Sequence, residues 1–136
     1  MPIVRVTRRV HFSAAHRLDS DRLSPEENAR VYGLCNSPNF HGHNYELDVT
    51  VAGEADATGY VIDLGILRDL VEQSVVRDLD HRNLNQDVNW LRGVIPSSEN
   101  LVVKIWERLV DSIPSGKLVR LVLWETPRNY VEYTGE

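Results

Sequence analysis

Four segments of the chain have the spacing of apolar and polar residues that is typical of β-strands. They are residues 3–13, 44–53, 118–125 and 129–134. In the second segment strict alternation gives one apolar face, made of Tyr45, Leu47, Val49 and Val51. In the third segment the apolar face ends in a carboxylate, and its members are Val119, Leu121, Leu123 and Glu125. These segments predict a sheet with one buried face.

Two further segments have apolar residues three and four positions apart, which predicts helices at about 64–78 and 98–112. Asp63 and Ser97 precede them and are suitable N-caps. The predicted buried stripes are Leu64, Leu67, Val71 and Val75 in the first helix, and Leu101, Val102, Ile105, Trp106 and Leu109 in the second. The polar stretch 19–39 predicts a long loop between the first two strands, with a short helix near 25–30.

The order of these elements is two strands, two helices and two strands. It predicts one α+β domain over residues 1–136, with a four-stranded antiparallel sheet and two helices on one face. Such a sheet has two open edges. Joining the sheets of several chains into a barrel would remove both edges, so we expect an oligomer.

Charge, hydropathy and cysteine content argue against several classes of protein. The net charge of −5 argues against a general nucleic-acid binder, which would have a basic surface. No apolar stretch is long enough to span a bilayer, and the N-terminus lacks the pattern of a signal peptide. The single cysteine excludes an intrachain disulfide and fits a reducing compartment. We therefore expect a cytoplasmic protein.

Three histidines are candidate metal ligands. His41 and His43 are two residues apart, and residues i and i+2 of a strand point to the same face. His16 follows the first strand and a run of small residues. Together they could bind zinc and leave one position open for a substrate. A histidine at a strand end can also simply face solvent, and His11 is assigned no role.

Cys35 admits three interpretations. A lone cysteine is most often a small buried apolar residue. It could also be a fourth zinc ligand, or a base or nucleophile whose thiol pKa is lowered by nearby cations. Its position between Gly33 and Pro38, in a polar loop, favours one of the two functional interpretations.

Four other residues carry candidate chemistry. Asp80 and His81 follow the first helix, where a histidine is electrostatically favourable, but an aspartate can also orient a histidine for proton transfer. Glu125 lies on the apolar face of its strand, so it either reaches solvent or accepts a specific ligand. Glu99 is simply explained by the helix dipole.

Several motifs, in this order along the chain, together resemble the 6-pyruvoyl-tetrahydropterin synthase and 6-carboxy-tetrahydropterin synthase family. The motifs are Phe12 to His16, Cys35 to Tyr45, Leu79 to Leu84, Ser97 to Asn100, Glu125-Thr126 and Tyr133 to Glu136. The resemblance covers nearly the whole chain. The block from Cys35 to His43 is its most specific part.

The resemblance implies a tunnelling fold in which two stacked trimers form a homohexamer. It implies that His16, His41 and His43 bind zinc and that Cys35 is the base that removes a proton. Asp80 and His81 would form a proton relay, and Glu125 would anchor the pterin ring, with Ser97 and Glu99 also contacting substrate. Sites of this family lie between subunits.

The implied substrate is 7,8-dihydroneopterin triphosphate, converted to 6-pyruvoyl-tetrahydropterin with release of triphosphate, and Mg²⁺ would suit the triphosphate. The alternative is the 6-carboxy-tetrahydropterin synthase of queuosine biosynthesis, which uses the same substrate and releases acetaldehyde. The five residues Asn36 to Phe40 between the cysteine and His41 favour the pyruvoyl branch. A non-catalytic zinc- or pterin-binding protein is the third hypothesis.

Overall fold

Two long strands form the centre of the sheet. In the computed structural model, which describes residues 1–136, β1 (Val4–His16) and β2 (His41–Gly53) pair antiparallel along their whole length. The register runs from Val4 opposite Gly53 to His16 opposite His41. Both strands extend further than the sequence pattern predicted, because the pairing continues through Ala14, Gly42 and the histidines.

The sheet has five strands, so the predicted number of four is wrong. β4 (Lys117–Thr126) pairs with β2, and β5 (Asn129–Tyr133) pairs with β4, both antiparallel. The extra strand, β3 (Arg82–Asn83), lies parallel to β1, which gives the order β3-β1-β2-β4-β5. A strand of two residues has no alternation, so periodicity cannot reveal it.

The helices begin at the predicted caps. Asp63 accepts hydrogen bonds from two backbone N–H groups at the start of α2 (Leu64–Val71). That helix continues through a π-helical turn (Glu72–Val76) into α3 (Arg77–Leu79). α4 (Ser98–Leu109) begins after Ser97. α1 (Pro25–Tyr32) confirms the short helix in the long loop, and 3₁₀ turns follow at Gly33–Asn36 and Asn89–Leu91.

The hydrophobic core lies between the inner face of the sheet and the long helices. Every member of the predicted face of β2 is fully buried, as are Leu67, Val71 and Val75 of the first predicted helix stripe. Leu64 is the exception, since it is 39% exposed at the start of α2. Trp106 of the second predicted stripe is only partly buried and packs against Tyr133. None of the helices combines the length and apolar character that a bilayer crossing requires.

β4 contains two β-bulges that change which residues face the core. Thr50 pairs with Arg120 and Val51 with Leu118, so Val119 is an extra residue and Leu118 replaces it in the core. Trp124 pairs with Tyr130 and Thr126 with Asn129, which makes Glu125 the second extra residue. Bulges bend a strand and redirect a side chain. The predicted face of β4 is therefore correct from Leu121 to Leu123 and wrong at Val119.

Candidate functional site

Three imidazoles meet at the end of the β1–β2 pair. His16 lies directly opposite His41, and His43 is two residues further along β2 on the same face. The Nε2 atom of His41 lies 3.2 Å from that of His16 and 3.0 Å from that of His43. The structure thus brings the three predicted ligands together, with the same ring nitrogen of each directed at a common point.

The ring of His16 is held so that its Nε2 is free of hydrogen. It is fully buried, and its Nδ1 lies 3.0 Å from the carbonyl oxygen of Pro96. A carbonyl can only accept, so Nδ1 donates and Nε2 presents its lone pair. Burial also lowers the pKa of His16 and of His43, which favours the neutral form that binds metals.

The spacing of these nitrogens suits a tetrahedral ion. Ligand nitrogens bound to zinc at its usual bond length would be about 3.3 Å apart, close to the two separations of 3.0 and 3.2 Å. With the sulfur of Cys35, the four potential ligand atoms lie within 4.8 Å of one another. Nitrogen and sulfur donors of this kind are those that zinc prefers.

Cys35 lies on the 3₁₀ turn that follows α1, and its side chain is partly buried. Burial and, second, the negative charge of Glu125 raise the pKa of the Cys35 thiol. The chain by itself therefore favours the protonated thiol, whereas a cation held by the histidines would favour the thiolate. Position alone allows Cys35 to be either a base beside the metal or a fourth ligand.

Glu125 reaches the same region from the second bulge of β4. Its Oε1 lies 3.7 Å from Nε2 of His43, and its Oε2 accepts a 2.6 Å hydrogen bond from the hydroxyl of Ser98. Ser98 is the first residue of α4, so the carboxylate also lies near the positive end of that helix. Next to it is a cavity of about 530 Å³ that His43, Trp124 and Arg9 also line.

Ser98 is the site residue that sequence reasoning missed. The available signal was its place beside Ser97 in the motif Ser97-Ser98-Glu99-Asn100. Ser97 itself accepts a hydrogen bond from the N–H of Asn100 and caps α4. Glu99 is exposed in the first turn of that helix. Their predicted part in substrate binding stays a prediction.

Asp80 and His81 lie outside the four-residue cluster. The Nδ1 of His81 is 3.0 Å from Oδ2 of Asp80, while Oδ1 accepts from the N–H of Ser13 and this hydrogen bond lowers the pKa of Asp80. His81 has a left-handed backbone (φ 60°), and its side chain is 84% exposed. It lines a second cavity, of about 460 Å³, together with His43 and Arg82.

The chain is similar to known proteins in both sequence and structure. Residues 5–136 match the family model described as 6-pyruvoyl tetrahydropterin synthase. The human 6-pyruvoyl tetrahydrobiopterin synthase is 47% identical over 133 residues, which are 97% of this chain and 92% of the human protein. The Caenorhabditis elegans 6-pyruvoyl tetrahydropterin synthase structure has a TM-score of 0.93 at 40% identity, covering 100% of this chain and 98% of that one.

The 6-carboxy branch is more distant. A 6-carboxy-5,6,7,8-tetrahydropterin synthase from Rickettsia bellii is 25% identical over 150 residues, which are 96% of this chain and 99% of that protein. The difference in identity favours the pyruvoyl branch over the carboxy branch.

Proposed function

The chain belongs to the 6-pyruvoyl tetrahydropterin synthase family, and on that premise we propose the reaction that it catalyses. It is a carbon–oxygen lyase that converts 7,8-dihydroneopterin triphosphate into 6-pyruvoyl-tetrahydropterin and releases triphosphate. The observation that carries this proposal is the convergence of three imidazole Nε2 atoms beside the sulfur of Cys35. That arrangement places three residues that would hold a metal ion next to a proton acceptor.

His16, His41 and His43 would hold the zinc ion. When bound, zinc would polarise the hydroxyl oxygens of the substrate side chain and make the adjacent C–H bond more acidic. The hydrogen bond from His16 to Pro96 supports this assignment, because it fixes the tautomer that ligation requires.

Cys35 is the base in this proposal. Its thiolate takes the proton from C1′ of the side chain, the electron pair of that C–H bond moves through C6 to N5 of the pterin ring, and N5 takes up a proton, so the ring is reduced while C1′ is oxidised to a carbonyl. Loss of a second proton, from C2′, expels triphosphate from C3′ as the C3′–O bond breaks, and the resulting enol becomes the second carbonyl with a terminal methyl group. No external oxidant or reductant is needed. The partial burial of Cys35 supports a base that is shielded from bulk water.

Glu125 would anchor the pterin ring through ring N–H donors. The hydroxyl of Ser98 already occupies Oε2, and this contact holds the carboxylate in one orientation. Ser97 and Glu99, at the start of the same helix, are proposed to complete the contacts to substrate. A charge-assisted pair of hydrogen bonds to a heterocycle is both strong and geometrically specific.

Asp80 and His81 are proposed as the proton relay of a neighbouring subunit's site, within a homohexamer whose sheets join into a barrel. Neither residue belongs to the four-residue cluster of its own chain, and the side chain of His81 is 84% exposed, so a second subunit can reach it. Mg²⁺ would accompany the triphosphate. The single cysteine, kept as a free thiol, suits the cytoplasm.

The test is incubation of the zinc-loaded protein with 7,8-dihydroneopterin triphosphate. Triphosphate release is followed against time, the pterin is identified by mass, and acetaldehyde is assayed in the same mixture. We expect triphosphate and 6-pyruvoyl-tetrahydropterin in equal amounts, with no acetaldehyde. Acetaldehyde formed in step with the pterin would instead establish the 6-carboxy activity, and the absence of any turnover would favour a binding protein.

A further inference from the structure

The turn that carries Cys35 is fastened to the residues that follow His16. The N–H of Leu18 donates a 2.7 Å hydrogen bond to the carbonyl of Cys35. In the opposite direction, the side chain of Asn36 donates a 2.7 Å hydrogen bond to the carbonyl of Leu18. Two short hydrogen bonds therefore join the segment after His16 to Cys35 and to its neighbour Asn36.

A second pair of contacts surrounds this bridge. The side-chain amide of Asn36 also lies 2.9 Å from Oδ1 of Asp19, and Nε of Arg17 donates to the carbonyl of Asn36 at 3.2 Å. Arg17 and Asp19 face each other at 3.5 Å. All three side chains are only partly exposed. We call the group Arg17, Asp19 and Asn36 the cysteine clamp.

The chemistry of the clamp requires an amide at position 36. The side-chain nitrogen of Asn36 carries two hydrogens and contacts two acceptors, the Leu18 carbonyl and the Asp19 carboxylate. A carboxylate at this position has no hydrogen to donate and would face two oxygens, one of them charged. Aspartate has nearly the same shape as asparagine but lacks these N–H donors, so it cannot form the clamp.

We propose that Asn36 is a positioning residue, which holds Cys35 at a fixed place relative to His16 and the other two imidazoles. The expected effect on catalysis rests on the proposed function, whereas the position of the Cys35 thiol does not depend on it. The histidines are fixed by the β1–β2 pairing, whereas Cys35 lies on a short turn outside the sheet, where these contacts fasten it to the segment after His16.

Catalysis is sensitive to this placement because the thiolate must meet one particular C–H bond. A displacement of about 1 Å can cost on the order of 10²-fold in rate. The imidazoles do not depend on the clamp, so metal binding and proton removal can be separated by a substitution at Asn36.

The test compares Asn36→Asp with Asn89→Asp. Both make the same chemical change, but Asn89 is exposed and belongs to the turn before α4. Because Cys35 is the only cysteine, the rate of alkylation by iodoacetamide reports on this residue alone. Zinc content is measured for wild type and both variants, and the alkylation rate, kcat and KM are measured over a range of pH. The plateau of the alkylation rate at high pH is the rate of the thiolate itself, which separates a change of position from the rise in thiol pKa that a neighbouring carboxylate causes.

For Asn36→Asp we expect an unchanged zinc content, a several-fold faster alkylation of the Cys35 thiolate at the high-pH plateau, and a kcat that stays lower by about 10²-fold at its own pH optimum. KM should stay within about threefold of wild type, since ground-state contacts to the pterin are preserved. Asn89→Asp should behave as wild type. An alkylation rate in Asn36→Asp equal to that of Asn89→Asp would overturn the proposal.

A second variant keeps the proposal testable if Asn36→Asp does not fold. Asp19→Ala removes the acceptor at this position but leaves the bond from Asn36 to the Leu18 carbonyl, so alkylation of the thiolate should accelerate less than in Asn36→Asp. If Asn36→Asp fails to fold, wild-type alkylation in Asp19→Ala contradicts the clamp and faster alkylation supports it. The alkylation result stands even if wild type makes no pyruvoyl product, so the failure of the proposed function is recognised separately.

Discussion

His16 uses its two ring nitrogens for two different purposes. One is tied to the Pro96 carbonyl and the other points at His41 and the metal position. A ring fixed in this way loses little freedom when a metal binds, and second contacts of this kind are worth about 10- to 100-fold in metal affinity. The small residues before His16 gave no indication of this, because a backbone carbonyl has no sequence signature.

Replacing Cys35 distinguishes a base from a ligand. In Cys35→Ala we expect loss of turnover with zinc still bound in one equivalent per chain, because three imidazoles remain. Metal content by mass spectrometry and triphosphate release measure the two properties. In wild type without substrate, the zinc K-edge spectrum should contain nitrogen and oxygen scatterers only. Loss of zinc from the variant, with a sulfur scatterer at ~2.3 Å in wild type, would establish a closed site instead.

The adjacent serines of α4 are expected to have different roles. Ser98→Ala removes the 2.6 Å hydrogen bond to Glu125, so KM for the pterin should rise about tenfold, which is the effect of one lost bond to a charged group. Ser97→Ala removes the cap and should lower the free energy of unfolding by about 1 kcal/mol. Steady-state kinetics and urea unfolding separate these effects. The proposed contact of Ser97 with substrate should add only a small rise of KM, and a rise equal to that of Ser98→Ala would contradict the difference between the two serines.

At the scale of single residues, the sequence predicted those site members whose chemistry repeats at a fixed spacing. His41 and His43 share a face because strand geometry has a period of two. Ser98 and Pro96 could not be found in this way, since their roles depend on where α4 starts relative to β4 and β1. Those are distances across the fold, and no local pattern encodes them.

At the scale of elements, the sequence predicted the helices and the long strands well because each has a strong period and the two long helices also have caps. The two bulges of β4 were not predicted, because a bulge is defined by how a strand pairs with its neighbours and has no composition of its own. The second bulge matters most for function because it contains Glu125. The short strand β3 escaped for a related reason, as backbone contacts alone define it.

A cross-strand pair on the open face of the sheet gives a prediction on pH. Arg9 donates to both oxygens of Asp48 at 2.6 and 3.0 Å, and these bonds lower the pKa of Asp48 below its ordinary value of 3.8. A carboxylate whose pKa is lowered by folding stabilises the folded state at pH values above its unfolded-state pKa. This contribution to stability is lost as the pH falls through the folded-state pKa. Asp48→Asn should therefore cost about 1 kcal/mol at pH 7 and progressively less below about pH 4.

The matched control for this pair is Glu46→Gln, because Glu46 contacts the same arginine at 2.8 Å but is 47% exposed. Its cost at pH 7 should stay below about 0.5 kcal/mol. Chemical unfolding at several pH values measures both variants. A constant difference between Asp48→Asn and wild type from pH 7 to pH 3 would contradict the assignment.

At the scale of the whole molecule, the sheet has two free edges. Most of β1 has no partner on the side of β3, because β3 pairs with only Ala14 and Ala15. β5 forms the other edge. The sequence predicted that such edges must be covered, but it could not show which edge meets which, since that depends on several chains.

Subunit complementation tests whether the site is shared. Cys35→Ala and His81→Ala should each be inactive alone. If a site takes Cys35 from one chain and His81 from a neighbour, co-refolding equal amounts should restore about a quarter of the activity, because random assembly leaves that share of sites intact. The activity of each variant refolded alone is the baseline. No recovery, in assemblies shown by mass spectrometry to be mixed, would place both residues in a site from one chain.

The pairing of His16 with His41 has a consequence for how the chain folds. The three imidazoles meet only when β1 and β2 are in register, since a slip of one residue would turn His41 and His43 to the opposite face. A metal ion would thus bind only chains in which the two strands are in the native register, and binding would stabilise that register over the shifted ones. It would also close the loop formed by residues 17–40, so chelation should first speed amide hydrogen exchange at the histidine end of the strand pair.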